Sequence, residues 1–253
     1  EMDAIMGLAH AHNLIVIEDA AHALPAGYHG AQIGACDHPV AFSFYATKNL
    51  TTAEGGMLTG SPEFLEQARI VSLHGMNRDA WKRYDKGGSW FYEITLPGFK
   101  YNMTDIQAAI GLWQLRKLER FQLRRRQIAA RYTTAFSGIS GLGLPVTRPN
   151  IEHAWHLYPL RIHADLFGLT RDEVIGELHA RNIGTSVHFI PIHLHPYYRT
   201  KYHFQPGDFP VAYANFQRLV SLPLNPSLTD EEVNRIIAAV QDIAVAPAMR
   251  RAA

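Results

Sequence analysis

VIEDAAHALPAGYHGAQIGACDHPVAFSFYATKNLTTAEGG, residues 16–56, is the stretch that decides the fold. It opens inside a continuous apolar run, Leu14-Ile15-Val16-Ile17, that ends on Glu18-Asp19. Residues 1–12 feed that run with a helical pattern that sets Ile5, Leu8 and Ala9 on one face. A short apolar run delivered by a helix predicts a strand buried on both faces of a parallel sheet. Residues 41–45 and 56–59 predict two more strands.

Working outward, Ser61-Pro62 predicts a helix start, with Ser as N-cap and Pro in the first turn, running to about Leu73. Residues 74–99 are rich in Gly, Trp, Tyr and charge and predict a long irregular loop, a feature usually tied to function. Thr104-Asp105-Ile106-Gln107 is a capping box that opens a long helix to about Phe136. The glycine-rich break at 137–143 is read as a domain boundary, giving a large α/β domain over residues 1–140 and a small α+β domain over residues 141–253. Within the latter, residues 155–162 and 185–189 predict strands, and Thr170 and Thr229 open two capped helices. The chain opens directly in a helical pattern with no start methionine, which reads as a fold entered partway through.

Three residues carry the chemistry. Asp19 follows a strand, Ser43 stands near the end of the next, and Lys48 lies in the loop before Glu54-Gly55-Gly56. Ligands of open α/β sheets gather beyond the carboxyl ends of strands. A carboxylate, a hydroxyl and a lysine collected there match the demands of pyridoxal phosphate (PLP): the acid keeps the pyridine nitrogen protonated, the lysine holds the aldehyde, and the hydroxyl helps hold the phosphate. Taken singly, Asp19 reads as a turn residue, Lys48 as a surface lysine and Ser43 as a partner for backbone.

The stretch quoted above and LPGFKYNMTDIQAAIGLWQL at 96–115 closely resemble the DegT/DnrJ/EryC1/StrS family of PLP-dependent sugar aminotransferases, as do HAWHLYPLRI at 153–162 and IGTSVHFIPIHLHPYY at 183–198. The resemblance implies a mostly parallel α/β large domain, here incomplete, followed by a smaller C-terminal α+β domain. It implies that Lys48 forms the Schiff base with PLP, that Asp19 pairs with the pyridinium nitrogen, that His22 lies near the ring oxygen and that Ser43 binds the phosphate. Lys100 or Asn102, in the Gly98-Phe99-Lys100-Tyr101-Asn102 turn, would reach the phosphate of a neighbouring subunit's cofactor, making the protein a homodimer. His188 and His193 would line the cleft for a nucleotide-linked keto sugar, with glutamate as the amino donor. Members extend further toward the N-terminus, where a phosphate-cradling turn and a ring-stacking aromatic reside. Two other readings stay open: sugar deoxygenation, against which Lys48 argues because such relatives carry histidine there, and a non-catalytic protein of the same fold.

Composition sets the remaining bounds. A formal net charge of +1 gives no electrostatic case for nucleic acid or acidic lipid. The basic run Arg116, Lys117, Arg120, Arg124, Arg125, Arg126 alternates with Leu115, Leu118, Phe121 and Leu123, as on the wet face of a helix. The single cysteine, Cys36, forbids an internal disulfide and favours a reducing, cytoplasmic setting. No apolar run nears the roughly 20 residues of a membrane span. His188, His193 and His195 cluster in sequence, yet no Cys or acid within the segment completes a zinc set, so no metal is expected there. Cys36 itself reads as a small buried residue rather than a sulfur-transfer nucleophile.

Overall fold

A computed structural model describes residues 1–77 and 91–252, with side chains to residue 245. The chain divides into two compact units, residues 1–119 with 149–154, and residues 120–148 with 155–253.

In the first unit, helix α1 (Met2–Ala11) precedes a three-stranded sheet of β1 (Glu18–Asp19), β4 (Val40–Ser43) and β5 (Gly56–Thr59), in the order β1-β4-β5. Strand β1 runs parallel to β4 and β5 antiparallel to it. A second small sheet joins β2 (Gly27–Tyr28), β3 (Ala31–Gln32) and β7 (Ile151–Glu152). The apolar run before β1 departs from expectation. Leu14, Ile15 and Ile17 are 64%, 85% and 69% exposed, and only Glu18–Asp19 pairs as strand. The reason is topological: β1 is an edge of its sheet, and among the described residues no strand lies beyond it.

Helix α2 (Pro62–Ser72) starts as its sequence dictates, with Ser61 Oγ accepting from Phe64 N at 3.2 Å and Pro62 in the first turn. The expected loop falls partly outside the described residues. Its flanks fold back on the end of α2, where Phe99 N donates to Val71 O and Tyr101 N to Ser72 O, at 2.7 and 2.8 Å. A Cβ on Gly98 would stand 2.2 Å from Gly75 N, so only glycine permits this approach. Helix α3 (Asp105–Phe136) opens on the expected reciprocal cap: Gln107 N donates to Thr104 Oγ1 and Thr104 N to Gln107 Oε1.

The second unit takes the later part of α3, the antiparallel sheet of β6 (Leu142–Gly143), β8 (Tyr158–Ile162) and β9 (Leu219–Leu222), and several helices. These are α4 (Ala164–Phe167), α5 (Arg171–Ala180), α6 (Pro196–Tyr202), α7 (Pro210–Arg218) and α8 (Asp230–Ala252). Its core is one cluster in which Ile128, Tyr132 and Phe136 of α3 meet Tyr158, Leu160, Val220, Val233 and Ile243. The division between units therefore falls inside α3, and the glycine-rich break at 137–143 lies within the second unit: the last turns of α3 bury their apolar face there.

Two expectations for this unit are corrected. Residues 185–189 form no strand but one bridge, Ser186 to Ser221. The basic run on α3 is not wholly solvated either. Arg125 is buried, its Nη1 donating to Leu224 O at 2.8 Å and Trp155 O at 3.4 Å, and burial pushes its guanidinium down to about 10. The stacked carbonyls at that position explain why a cation is held inside. Among the described residues no helix is long and apolar enough to cross a membrane.

Candidate functional site at the carboxyl ends of β1 and β4

The parallel ladder fixes the site. Glu18 N donates to Pro39 O and Ala20 N to Ala41 O, at 2.9 and 2.8 Å, setting Asp19 in register with Ala41. Asp19 thus ends β1 on the edge where β4 ends at Ser43, two residues past its partner. The Asp19 carboxylate is exposed and accepts Ala21 N at 3.0 Å in a tight turn. Ser43 Oγ, half-buried, accepts Tyr45 N at 3.4 Å, so the hydroxyl helps turn the chain out of the sheet.

The turn carries Lys48. Its backbone N donates to Tyr45 O at 2.9 Å, and its side chain is half-buried. Among the described residues no hydrogen bond or ion pair engages its Nζ. With no carboxylate partner among the described residues, the amine is available for a covalent role.

The neighbouring residues make this loop rigid. Asn49, buried, donates through Nδ2 to Leu24 O and Ala154 O, both at 2.9 Å. Phe44 N bonds Gly55 O, Thr52 N bonds Phe44 O, and buried Thr52 Oγ1 donates to Glu54 O at 2.6 Å. Gln107 of α3 donates to the same Glu54 carbonyl at 2.9 Å. Gly55 sits at φ +151, and a Cβ there would lie 2.4 Å from Thr52 Oγ1 and 2.9 Å from Met103 Cε. The Glu-Gly-Gly sequence is thus a packing requirement of the lysine loop. Asn49 and Thr52 were missed by sequence reasoning, and a polar residue just before the apolar Leu50 was the available signal.

Other expected residues are placed as follows. His22 is exposed in the turn after Asp19. Lys100 is exposed and its Nζ donates to Asn102 Oδ1, so this pair forms one polar unit just ahead of α3. In the second unit, His188 is half-buried with Nδ1 at 2.9 Å from Ser221 Oγ. His193 is 6% exposed and packs its ring 4.7 Å from that of Phe209. Cys36 is half-buried rather than buried, with its thiol against His38, and burial followed by the Glu18 charge pushes that thiol up.

An acceptor at the end of β1, a hydroxyl at the end of β4 and an amine in the loop that follows β4 are the donor types that suit a group bearing a basic ring nitrogen, a phosphate and an aldehyde. The donor set fits PLP.

The architecture is that of the fold-type I class to which the structural neighbours belong. The DegT/DnrJ/EryC1/StrS aminotransferase family profile matches residues 1–241, and the chain belongs to that family. It is 51% identical over 245 residues to the spore coat polysaccharide biosynthesis protein SpsC of Bacillus subtilis, covering 96% of this chain and 63% of SpsC. The crystal structure of DesV from S. venezuelae matches with a TM-score of 0.84 at 35% identity, covering 96% of this chain and 62% of DesV. Spr1654 of Streptococcus pneumoniae in its PLP form matches with a TM-score of 0.81 at 34% identity, covering 95% and 60%. The chain therefore spans about 63% of the length of SpsC.

Proposed function

We propose that this chain supplies the lysine-bearing part of an aminotransferase that transfers an amino group from glutamate to a nucleotide-linked keto sugar, the position aminated being C4. The observation that carries this reading is half-buried Lys48, its amine unpaired among the described residues, in the loop that follows β4, the strand whose parallel neighbour ends in Asp19. Family membership and the likeness to SpsC support a sugar acceptor and a role in surface polysaccharide synthesis.

Asp19 would hold the ring nitrogen of PLP, Ser43 its phosphate and Lys48 its aldehyde, with His22 beside the ring. When bound, PLP supplies an electron sink for the carbon that loses a proton. Lys48 would be the base that takes a proton from the α-carbon of glutamate and the acid that gives one to the sugar carbon. The carboxylate of Asp19 would accept the ring N–H and keep it in place. His188, half-buried with Nδ1 near Ser221 Oγ, and His193, packed against Phe209, would be the residues of the second unit that meet the sugar nucleotide.

We further propose a homodimer in which Lys100 and Asn102 bind the phosphate at the partner's site. The motive is their position just ahead of a capped helix start, where backbone amides favour anions. Exposed Ile106, Trp113 and Leu115 on the following turns give the apolar surface that an interface would cover.

The donor half-reaction tests the activity. Glutamate added to the PLP-loaded protein should convert the absorbance of the lysine-bound cofactor to that of the amine form, with release of 2-oxoglutarate. A bound cofactor whose spectrum glutamate leaves unchanged would favour the non-catalytic reading. Release of deoxygenated rather than aminated sugar would favour the dehydratase.

A further inference from the structure

The amino ends of the same two strands carry a second cluster, at the opposite end of β1 and β4 from Lys48. Glu18 begins β1, and Cys36-Asp37-His38 is the turn that leads into β4. The ladder sets Glu18 in register with Val40, and Ser61 N pins the turn by donating to Asp37 O at 2.9 Å. Three different donor atoms converge as a result. His38 Nε2 lies 2.5 Å from Glu18 Oε1 and 3.4 Å from Cys36 Sγ, and all three atoms fall within 4.8 Å of one another. The His38 and Glu18 side chains are only 19% and 17% exposed, so solvent does not dominate their environment.

We propose that Glu18, Cys36 and His38 form a three-ligand site for a zinc-class divalent ion, with a fourth position open to water. One thiolate, one imidazole and one carboxylate are all ligands that zinc takes, and three protein ligands with an open position is a known zinc arrangement. The mixed sulfur and nitrogen donors exclude the hard cations Ca²⁺ and Mg²⁺, which require oxygen. Zinc–ligand distances of about 2.3 Å to sulfur and about 2.0 Å to nitrogen at tetrahedral angles put Sγ and Nε2 roughly 3.5 Å apart, which is the separation present. The Glu18 oxygen stands roughly 0.8 Å closer to Nε2 than such a site requires. Ion entry therefore replaces the direct His38–Glu18 hydrogen bond by two bonds to the metal, with a small swing of the carboxylate. The thiol proton, and any proton shared between His38 and Glu18, leave to solvent. The site would clamp the start of β1 to the turn before β4.

Cys36 is the only cysteine of the chain, so a thiolate signal reports on this site alone despite the 14 histidines. Titration of the metal-free chain with Co²⁺ should give a thiolate-to-cobalt charge-transfer band that saturates at one equivalent and is bleached by Zn²⁺. Zn²⁺ should slow the reaction of Cys36 with a thiol reagent at least about tenfold, because the metal-bound thiolate is no longer the free nucleophile. Glu18→Gln should weaken binding roughly 10–100-fold, and Cys36→Ser and His38→Ala should abolish the band. The thiol-protection measurement uses the unaltered chain and stands even where a variant fails to fold. No charge-transfer band at stoichiometric Co²⁺, with thiol reactivity unchanged by Zn²⁺, would overturn the proposal and leave a hydrogen-bonded triad only.

Discussion

At the scale of single residues, the account rests on what Asp19 and Lys48 are offered by the backbone. Asp19 accepts one hydrogen bond, from Ala21 N, which fixes the carboxylate without neutralising it. Replacing Asp19 with Asn preserves shape but cannot hold a ring proton. Asp19→Asn should retain PLP yet lower the transamination rate by roughly 10²–10⁴-fold, the usual weight of a positioned acid–base group. Stopped-flow measurement of the glutamate half-reaction checks this, and a near-normal rate would make Asp19 a turn residue and nothing more. Both residues stand out in the sequence because a strand end followed by an acid, and a lysine before Glu-Gly-Gly, are patterns with a mechanism. The Glu18–Cys36–His38 convergence was not legible. Its donors come from two strands, and only the ladder register brings Glu18 to the Cys-x-His turn.

At the scale of elements, the lysine loop between β4 and β5 is held by packing that admits no extra atom. Gly55 lies in the positive-φ region, and an added Cβ would strike buried Thr52 Oγ1. Gly55→Ala should therefore destabilise the first unit by about 1–3 kcal/mol, from backbone strain and overpacking together. It should also raise the PLP dissociation constant, because Thr52 and Gln107 both anchor Glu54 at the base of the loop. Denaturant melts followed by cofactor fluorescence would register both effects. Unchanged stability would show that the loop relaxes freely. The caps of α2, α3 and α5 were readable from Ser61, Thr104 and Thr170, since each satisfies its own orphan donors locally. Strand burial was not readable at residues 14–17, because the apolar pattern reports what a segment would bury, and the neighbour that covers it is set by topology. The same holds for Arg125, whose guanidinium donates to carbonyls 30 and 99 residues away in sequence.

For the molecule as a whole, the α/β class and the family followed from the order of the motifs. The glycine-rich break marks where α3 ends, but contacts divide the chain earlier, at residue 119. A helix that carries one apolar face into a core belongs to that core however it is punctuated. The proposed crossed dimer is a property at this scale. If Lys48 and the Lys100–Asn102 pair of one site come from different subunits, Lys48→Ala and a Lys100→Ala/Asn102→Ala double variant, each inactive alone, should regain roughly a quarter of the activity when unfolded and reassembled together, as two-fold pairing requires. A mixture as inactive as its parts would place both elements in one subunit. The central claim, that the carboxyl edge of β1 and β4 is the cofactor site, is tested most directly by reducing the PLP-loaded chain with borohydride and mapping the labelled peptide. Lysines at 48, 82, 86, 100, 117 and 201 could each react with a free aldehyde. The account predicts a single pyridoxyl label on Lys48, lost in Lys48→Ala. A label on any other lysine, or one spread among them all, would contradict it.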